Sequence, residues 1–230
     1  MRINLKHIVI LLLLWQSPCL FAQKQQVVQG STQYPFWLYQ PDDFKETKKY
    51  PLLIVLHGKS LSGTDINRVK RYGVLRAIDR GRKVPAWVIA PQVASGAWNP
   101  DLVLEILEFA KKNYNIDDKR IYVCGMSLGG YGTLHFVGKY PDKVTAAVAI
   151  CGGGNEKDAA RLAQVPLWII HGDNDKPVPI SESKKVVNAI RKANPKAPLE
   201  FTVVKGGTHS SVENYFHLDA FYDWLFSQSK

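Results

Sequence analysis

From residue 51 onward the chain alternates two patterns. Short continuous apolar runs occur at 51–56 (PLLIVL), 86–90, 121–125 (IYVCG), 144–150 (VTAAVAI), 166–170 (PLWII) and 199–204 (LEFTVV). Runs of this length, bounded by Gly, Pro or Asp, read as strands: 51–56 as a central strand buried on both faces, 144–150 as a buried strand and 199–204 as the last strand. Between them apolar residues recur every three or four positions. Residues 102–114 place Leu102, Ile106, Phe109 and Ala110 on one face and Glu105, Glu108 and Lys111 elsewhere, the signature of a surface helix. Similar segments at 128–139, 181–193 and 213–227 predict helices, as does the stretch after Ser62-Gly63-Thr64-Asp65 to about residue 80. Residues 25–40, rich in aromatics, read as one or two early antiparallel strands ending at Pro41. Strand and helix alternation predicts an α/β fold: a mostly parallel central sheet flanked by helices on both faces, with reactive groups at the strands' carboxyl ends.

The first 22 residues break this pattern. Arg2, Lys6 and His7 precede the apolar run 8–15, and Ser17, Pro18 and Ala22 follow. This predicts a secretory signal over 1–22, cleaved after Ala22, and a single catalytic domain over 23–230 in a secreted or periplasmic protein. The run is too short to span a bilayer comfortably, and no later segment is apolar enough, so no stable membrane insertion is expected.

The whole chain carries 30 basic and 20 acidic residues. Processing removes Arg2 and Lys6 and leaves a net charge of +8. The basic residues are scattered, as at Lys45, Lys48, Lys49, Lys184 and Lys185, which predicts a solvated face rather than a nucleic-acid partner. Of three cysteines only Cys124 and Cys151 survive processing. Both fall near ends of buried strands, so two buried thiols are expected. The sequence gives no zinc spacing, Rossmann fingerprint or P-loop, and implies no metal and no cofactor. Oligomeric state is not encoded in any visible pattern.

Gly125-Met126-Ser127-Leu128-Gly129 is a G-x-S-x-G segment between a strand and a helix. Such a turn exposes a serine above the sheet and aims the next helix's N-terminus at it. Ser127 is therefore the candidate nucleophile, with the Leu128 N–H as one oxyanion donor. The second donor is placed after the strand 51–56, at Lys59 or, less directly, Ser60. A base must come from a mobile loop tip, and His209 follows Gly206-Gly207-Thr208 after the last strand. The orienting acid is Asp175; the alternative, Asp173, would more naturally brace its turn. Ser127, Asp175 and His209 then occur in the α/β-hydrolase order Ser…Asp…His. His57 and His171, at strand ends, and His135 and His217, inside helices, read as structural or surface residues. Trp98, in a loop at the sheet's carboxyl edge, could stack on a substrate ring or pack over the core.

The runs PLLIVLHG (51–58), YNIDDKRIYVCGMSLGGYGT (114–133), YPDKVTAAVAICGGG (140–154), HGDNDKPVP (171–179) and GGTHSSV (206–212) resemble the α/β-hydrolase superfamily. The nearer likeness is to secreted bacterial enzymes related to prolyl oligopeptidase, phospholipase/carboxylesterase and feruloyl esterase. The resemblance also assigns Asp175 as the acid. It implies the α/β-hydrolase fold and hydrolysis of carboxylic esters, among them feruloyl and acetyl esters of plant polysaccharides. It leaves open a small-peptide serine peptidase or a catalytically silent carbohydrate-binding relative. Relatives carry more glycine where this chain has Lys59-Ser60-Leu61-Ser62.

Overall fold

A computed structural model describes residues 25–230; the expected signal, 1–22, lies outside the described residues. Eight strands form one sheet: β1 (Gln25–Val28), β2 (Phe36–Tyr39), β3 (Tyr50–Leu56), β4 (Trp87–Pro91), β5 (Ile116–Met126), β6 (Ala146–Ile150), β7 (Leu167–Gly172) and β8 (Leu199–Val204). Their spatial order is β1-β2-β4-β3-β5-β6-β7-β8. The β1–β2 and β2–β4 pairings are antiparallel and all others parallel, in keeping with the expected one or two early antiparallel strands and the parallel arrangement of the later runs.

Strand alternation divides the core in two. Leu52, Ile54, Leu56, Val123, Ala147 and Ile169 point to one face. There they meet α2 (Pro100–Asn113), α3 (Leu128–Lys139), α4 (Ala159–Leu162) and α5 (Ser181–Ala193). Leu53, Val55, Tyr122, Cys124, Val148 and Ile170 point to the other, against α1 (Val74–Asp79) and α6 (Asp219–Ser227). Burying side chains on both faces of every central strand is the main stabilising term, about 1.5–3 kcal/mol for each large apolar side chain. Cys124 and Cys151 are buried free thiols. Among the described residues no helix is long and apolar enough to cross a membrane.

Two expected helices are broken. The one ending near residue 80 is a 3-10 turn, Ile66–Lys70, followed by α1; between them Gly73 has φ +79°. The closing helix is a 3-10 segment, Ser211–His217, followed by α6. One tertiary bond ties the two breaks: the Gly73 N–H donates to Glu213 Oε1 at 2.8 Å. β5 also begins earlier than its apolar run, pairing Ile116 with Tyr50 before a register shift.

Candidate active site

The end of β5 sets the nucleophile's position. Ser127 has φ +57°, ψ −121° and stands at the start of α3. Its N–H donates to Ile150 O at 2.8 Å, fixing the bend against β6. A non-glycine residue held at positive φ stores of order 1–3 kcal/mol, a cost met by the surrounding packing. That packing is too close for side chains. A Cβ on Gly129 would lie 1.8 Å from Leu56 O, and one on Gly125 would lie 2.3 Å from Gly129 O. Only glycine lets α3 begin directly on the ends of β3 and β5.

The acid and base come from the ends of β7 and β8, which lie beside each other beyond β6. Asp175, in the loop after β7, is buried. Its Oδ1 accepts from Val178 N–H at 2.9 Å, and its Oδ2 accepts from His209 Nδ1 at 2.7 Å. Burial alone would raise the Asp175 pKa, but donation from the Cys151 thiol, Val178 N–H and His209 outweighs it and holds the carboxyl below its ordinary value. With Nδ1 committed to Asp175, the His209 tautomer keeps its lone pair on Nε2. His209 and Ser127 line one cavity of about 660 Å³. Asp173 takes a different part: its Oδ1 accepts from Gly206 N–H at 2.7 Å and so braces the loop that carries His209.

The two expected oxyanion donors also reach this cavity. Leu128 is the first residue of α3 and Lys59 the first of a 3-10 turn, Lys59–Leu61. First-turn N–H groups have no intrahelical acceptor, so both are available to an anion. The lack of glycine in this loop has a structural reason. A 3-10 turn needs none, and side chains hold it in place. Arg68 Nη2 donates to Ser60 O at 2.8 Å, and Gln92 Nε2 donates to Leu61 O at 2.8 Å.

Trp98 does not reach the cavity. It is 3% exposed, its Nε1 donates to His57 O at 3.1 Å, and its ring meets Tyr34 and His57 edge-on. It fills the space left by Gly132 on α3, where a Cβ would stand 2.7 Å from the indole. The stacking role is corrected to a packing role. The aromatic side chains that do face the cavity are Tyr72 and Tyr131; Tyr72 lies in no motif and Tyr131 only follows the serine turn in the run 114–133, so sequence reasoning gave neither a role. Cys151, expected as a buried thiol, is one, and burial keeps it protonated; its place beside Asp175 was not foreseen.

His57 and His171 are buried beneath the site. His57 Nε2 accepts from Val93 N–H at 3.1 Å, so its proton sits on Nδ1, 2.8 Å from Gly58 O. Burial lowers its pKa from 6.5 to about 4. The folded protein therefore resists a proton that the unfolded chain accepts below pH 6.5. Stability is full above that pH and falls as pH drops towards 4, by up to about 3 kcal/mol from this residue. His171, whose pKa burial also lowers, adds in the same direction. Urea midpoints should fall between pH 7 and pH 4.5, and His57→Gln should flatten that slope. An equal slope in the variant would assign the acid lability elsewhere.

Among the described residues the group nearest to a metal-ligand set is Cys151, Asp175 and His209, with donor atoms within 4.8 Å of one another. In this arrangement they are joined by hydrogen bonds: the thiol and the imidazole both give to the carboxylate.

The profile of the dienelactone hydrolase family matches residues 91–217, more than half of the chain. The chain belongs to the dienelactone hydrolase family. Its sheet and helices are the α/β-hydrolase fold, shared with a thermostable esterase at a TM-score of 0.76 and 26% identity, over 90% of this chain and 64% of that one. A feruloyl esterase module from Clostridium thermocellum, complexed with sinapinate, shares the fold at a TM-score of 0.65 and 16% identity, over 86% of each chain. In sequence the family member is 40% identical over 81 residues to a bifunctional acetylxylan esterase/xylanase, XynS20E, of Neocallimastix patriciarum. That match covers 35% of this chain and spans 12% of the relative's length.

Proposed function

We propose that this dienelactone hydrolase family member is an exported serine esterase that cleaves carboxylic esters through an acyl-enzyme, with feruloyl or acetyl esters of plant polysaccharides as its substrates. The observation that carries the reading is the sharing of one cavity by Ser127, on its strained turn, and His209, whose Nδ1 is held by buried Asp175. Ser127 Oγ attacks the acyl carbon as His209 Nε2 takes its proton. The oxyanion is held by the Leu128 and Lys59 N–H groups. His209 then protonates the leaving alcohol, and water repeats the sequence on the acyl-enzyme.

The substrate class draws support from two sides. Met126, Leu128, Tyr131, Pro177 and Val178 give the cavity an apolar and partly aromatic wall, suited to a planar phenolic acyl group. The names of the acetylxylan esterase and the feruloyl esterase module point to the same chemistry. Export rests on the segment 1–22 alone.

The test compares p-nitrophenyl acetate, methyl ferulate and a proline amide as substrates of the mature chain. Cleavage of both esters with no cleavage of the amide supports the esterase reading, and the ferulate-to-acetate ratio sizes the acyl pocket. Faster turnover of the amide would replace it with the peptidase reading.

A further inference from the structure

Tyr72 stands at the break between the 3-10 turn Ile66–Lys70 and α1, and its hydroxyl reaches the loop that begins the oxyanion site. The Gly58 N–H donates to Tyr72 Oη at 3.1 Å, and Ser60 Oγ lies 3.3 Å from the same oxygen. A Cβ built on Gly58 would stand 2.6 Å from Tyr72 Oη and 3.4 Å from Ser127 Cβ. Phenol and nucleophile therefore flank one small space, and both line the cavity.

A phenol has one proton to give and lone pairs to accept with. The Gly58 N–H occupies a lone pair. Among the described residues the proton has one acceptor at hydrogen-bond distance, Ser60 Oγ, an exposed residue that water can also serve. Glu213, the carboxylate on this wall, already accepts from Gly73 N–H and lies 3.2 Å from His217 Nε2. Burial pushes the Tyr72 pKa above its ordinary value in spite of both hydrogen bonds, so the hydroxyl keeps its proton. Accepting from Gly58 polarises the O–H and makes it a better donor. A residue needed only to prop the loop would use the lone pair; the proton, served by exposed Ser60 or by water, can turn into the space beside the nucleophile.

We propose that the Tyr72 hydroxyl is a third donor to the oxyanion, beside the N–H groups of Lys59 and Leu128. The proposal rests on the esterase reading of the same cavity. As the Ser127 Oγ–carbon bond forms, the Ser127 proton passes to His209 Nε2 and the carbonyl π pair moves onto oxygen. Tyr72 turns its O–H from Ser60 to that oxygen and retains the proton. When the alcohol leaves with the proton from His209, the electron pair returns to the C=O bond and the O–H turns back.

The experiment compares Tyr72→Phe with the parent on p-nitrophenyl acetate. A trifluoromethyl ketone, which forms a hemiketal oxyanion on Ser127, serves as the transition-state mimic. In the variant kcat should fall about 10²-fold with KM within about two-fold, and affinity for the ketone should fall by the same factor as kcat. The hemiketal pKa, read by carbon NMR of the labelled ketone, should rise. Unchanged ketone affinity and hemiketal pKa would overturn the proposal and leave Tyr72 a loop prop, even where kcat has fallen because the loop has moved. A parent that neither turns over the ester nor labels with a fluorophosphonate would overturn the serine-hydrolase reading itself, a result separable from the first because it needs no variant.

Discussion

Ser127→Ala is expected to lower kcat by about 10⁴-fold or more while leaving the fold intact. The hydroxyl is the only part of the side chain that the proposed reaction uses. Alanine keeps the Cβ, so the turn at φ +57° carries the same strain and its N–H still bonds to Ile150 O. Melting temperature should therefore stay within a few degrees of the parent. Fluorophosphonate labelling should vanish in step with turnover. What residual rate survives comes from the oxyanion donors and binding alone. Retained ester cleavage at the parental rate would move the nucleophile to another residue.

The second large effect is expected at Asp175, where Asn should lower kcat by about 10³- to 10⁴-fold. The carboxylate offers two acceptor oxygens, and both are used. Oδ1 takes the Val178 N–H and Oδ2 takes His209 Nδ1–H, with His171 Nε2 3.4 Å from Oδ2. An amide has one acceptor oxygen and a donor NH₂. Either the Val178 turn or the imidazole must face that NH₂. If the imidazole does, its proton is driven to Nε2 and the lone pair is lost where Ser127 needs it. Asp173→Asn is the informative comparison. Among the described residues its carboxylate accepts from the Gly206 N–H alone, a bond the amide oxygen can keep, so the variant should cost at most about 1 kcal/mol of stability and little turnover. Equal losses at the two positions would show that both aspartates serve the loops and neither orients the base.

Much of this arrangement could be read from the chain because it depends on local order. Short apolar runs such as PLLIVL and VTAAVAI, too brief for a helix and bounded by turn residues, read as central strands, and Gly125 and Gly129 mark where a strand must meet a helix without side chains between them. The breaks in the first and last helices could not be read. They are coupled through Gly73 N–H and Glu213, residues 140 positions apart, and no periodicity carries such a bond. Trp98 could in part have been placed. Gly132 leaves a gap in the middle of α3 that something large must fill, and a glycine inside a helix was the unused signal. The Cys151 thiol beside Asp175 left no trace in the sequence, because β6 and the loop after β7 meet only once the sheet is formed.

The strand order gives the two halves of the site unequal support. Ser127 rises from β5, which has parallel neighbours on both sides, whereas His209 hangs from β8, which is paired with β7 alone. Val203 on β8 is 44% exposed, while the apolar residues at the end of β5 are buried. A sheet frays from its margin inward. On heating, the base is expected to come adrift before the serine, with amide exchange faster at β8 and the loop after it than at β5. Loss of activity by heat should then begin as a partial and recoverable event at one border of the molecule, ahead of collapse of the whole.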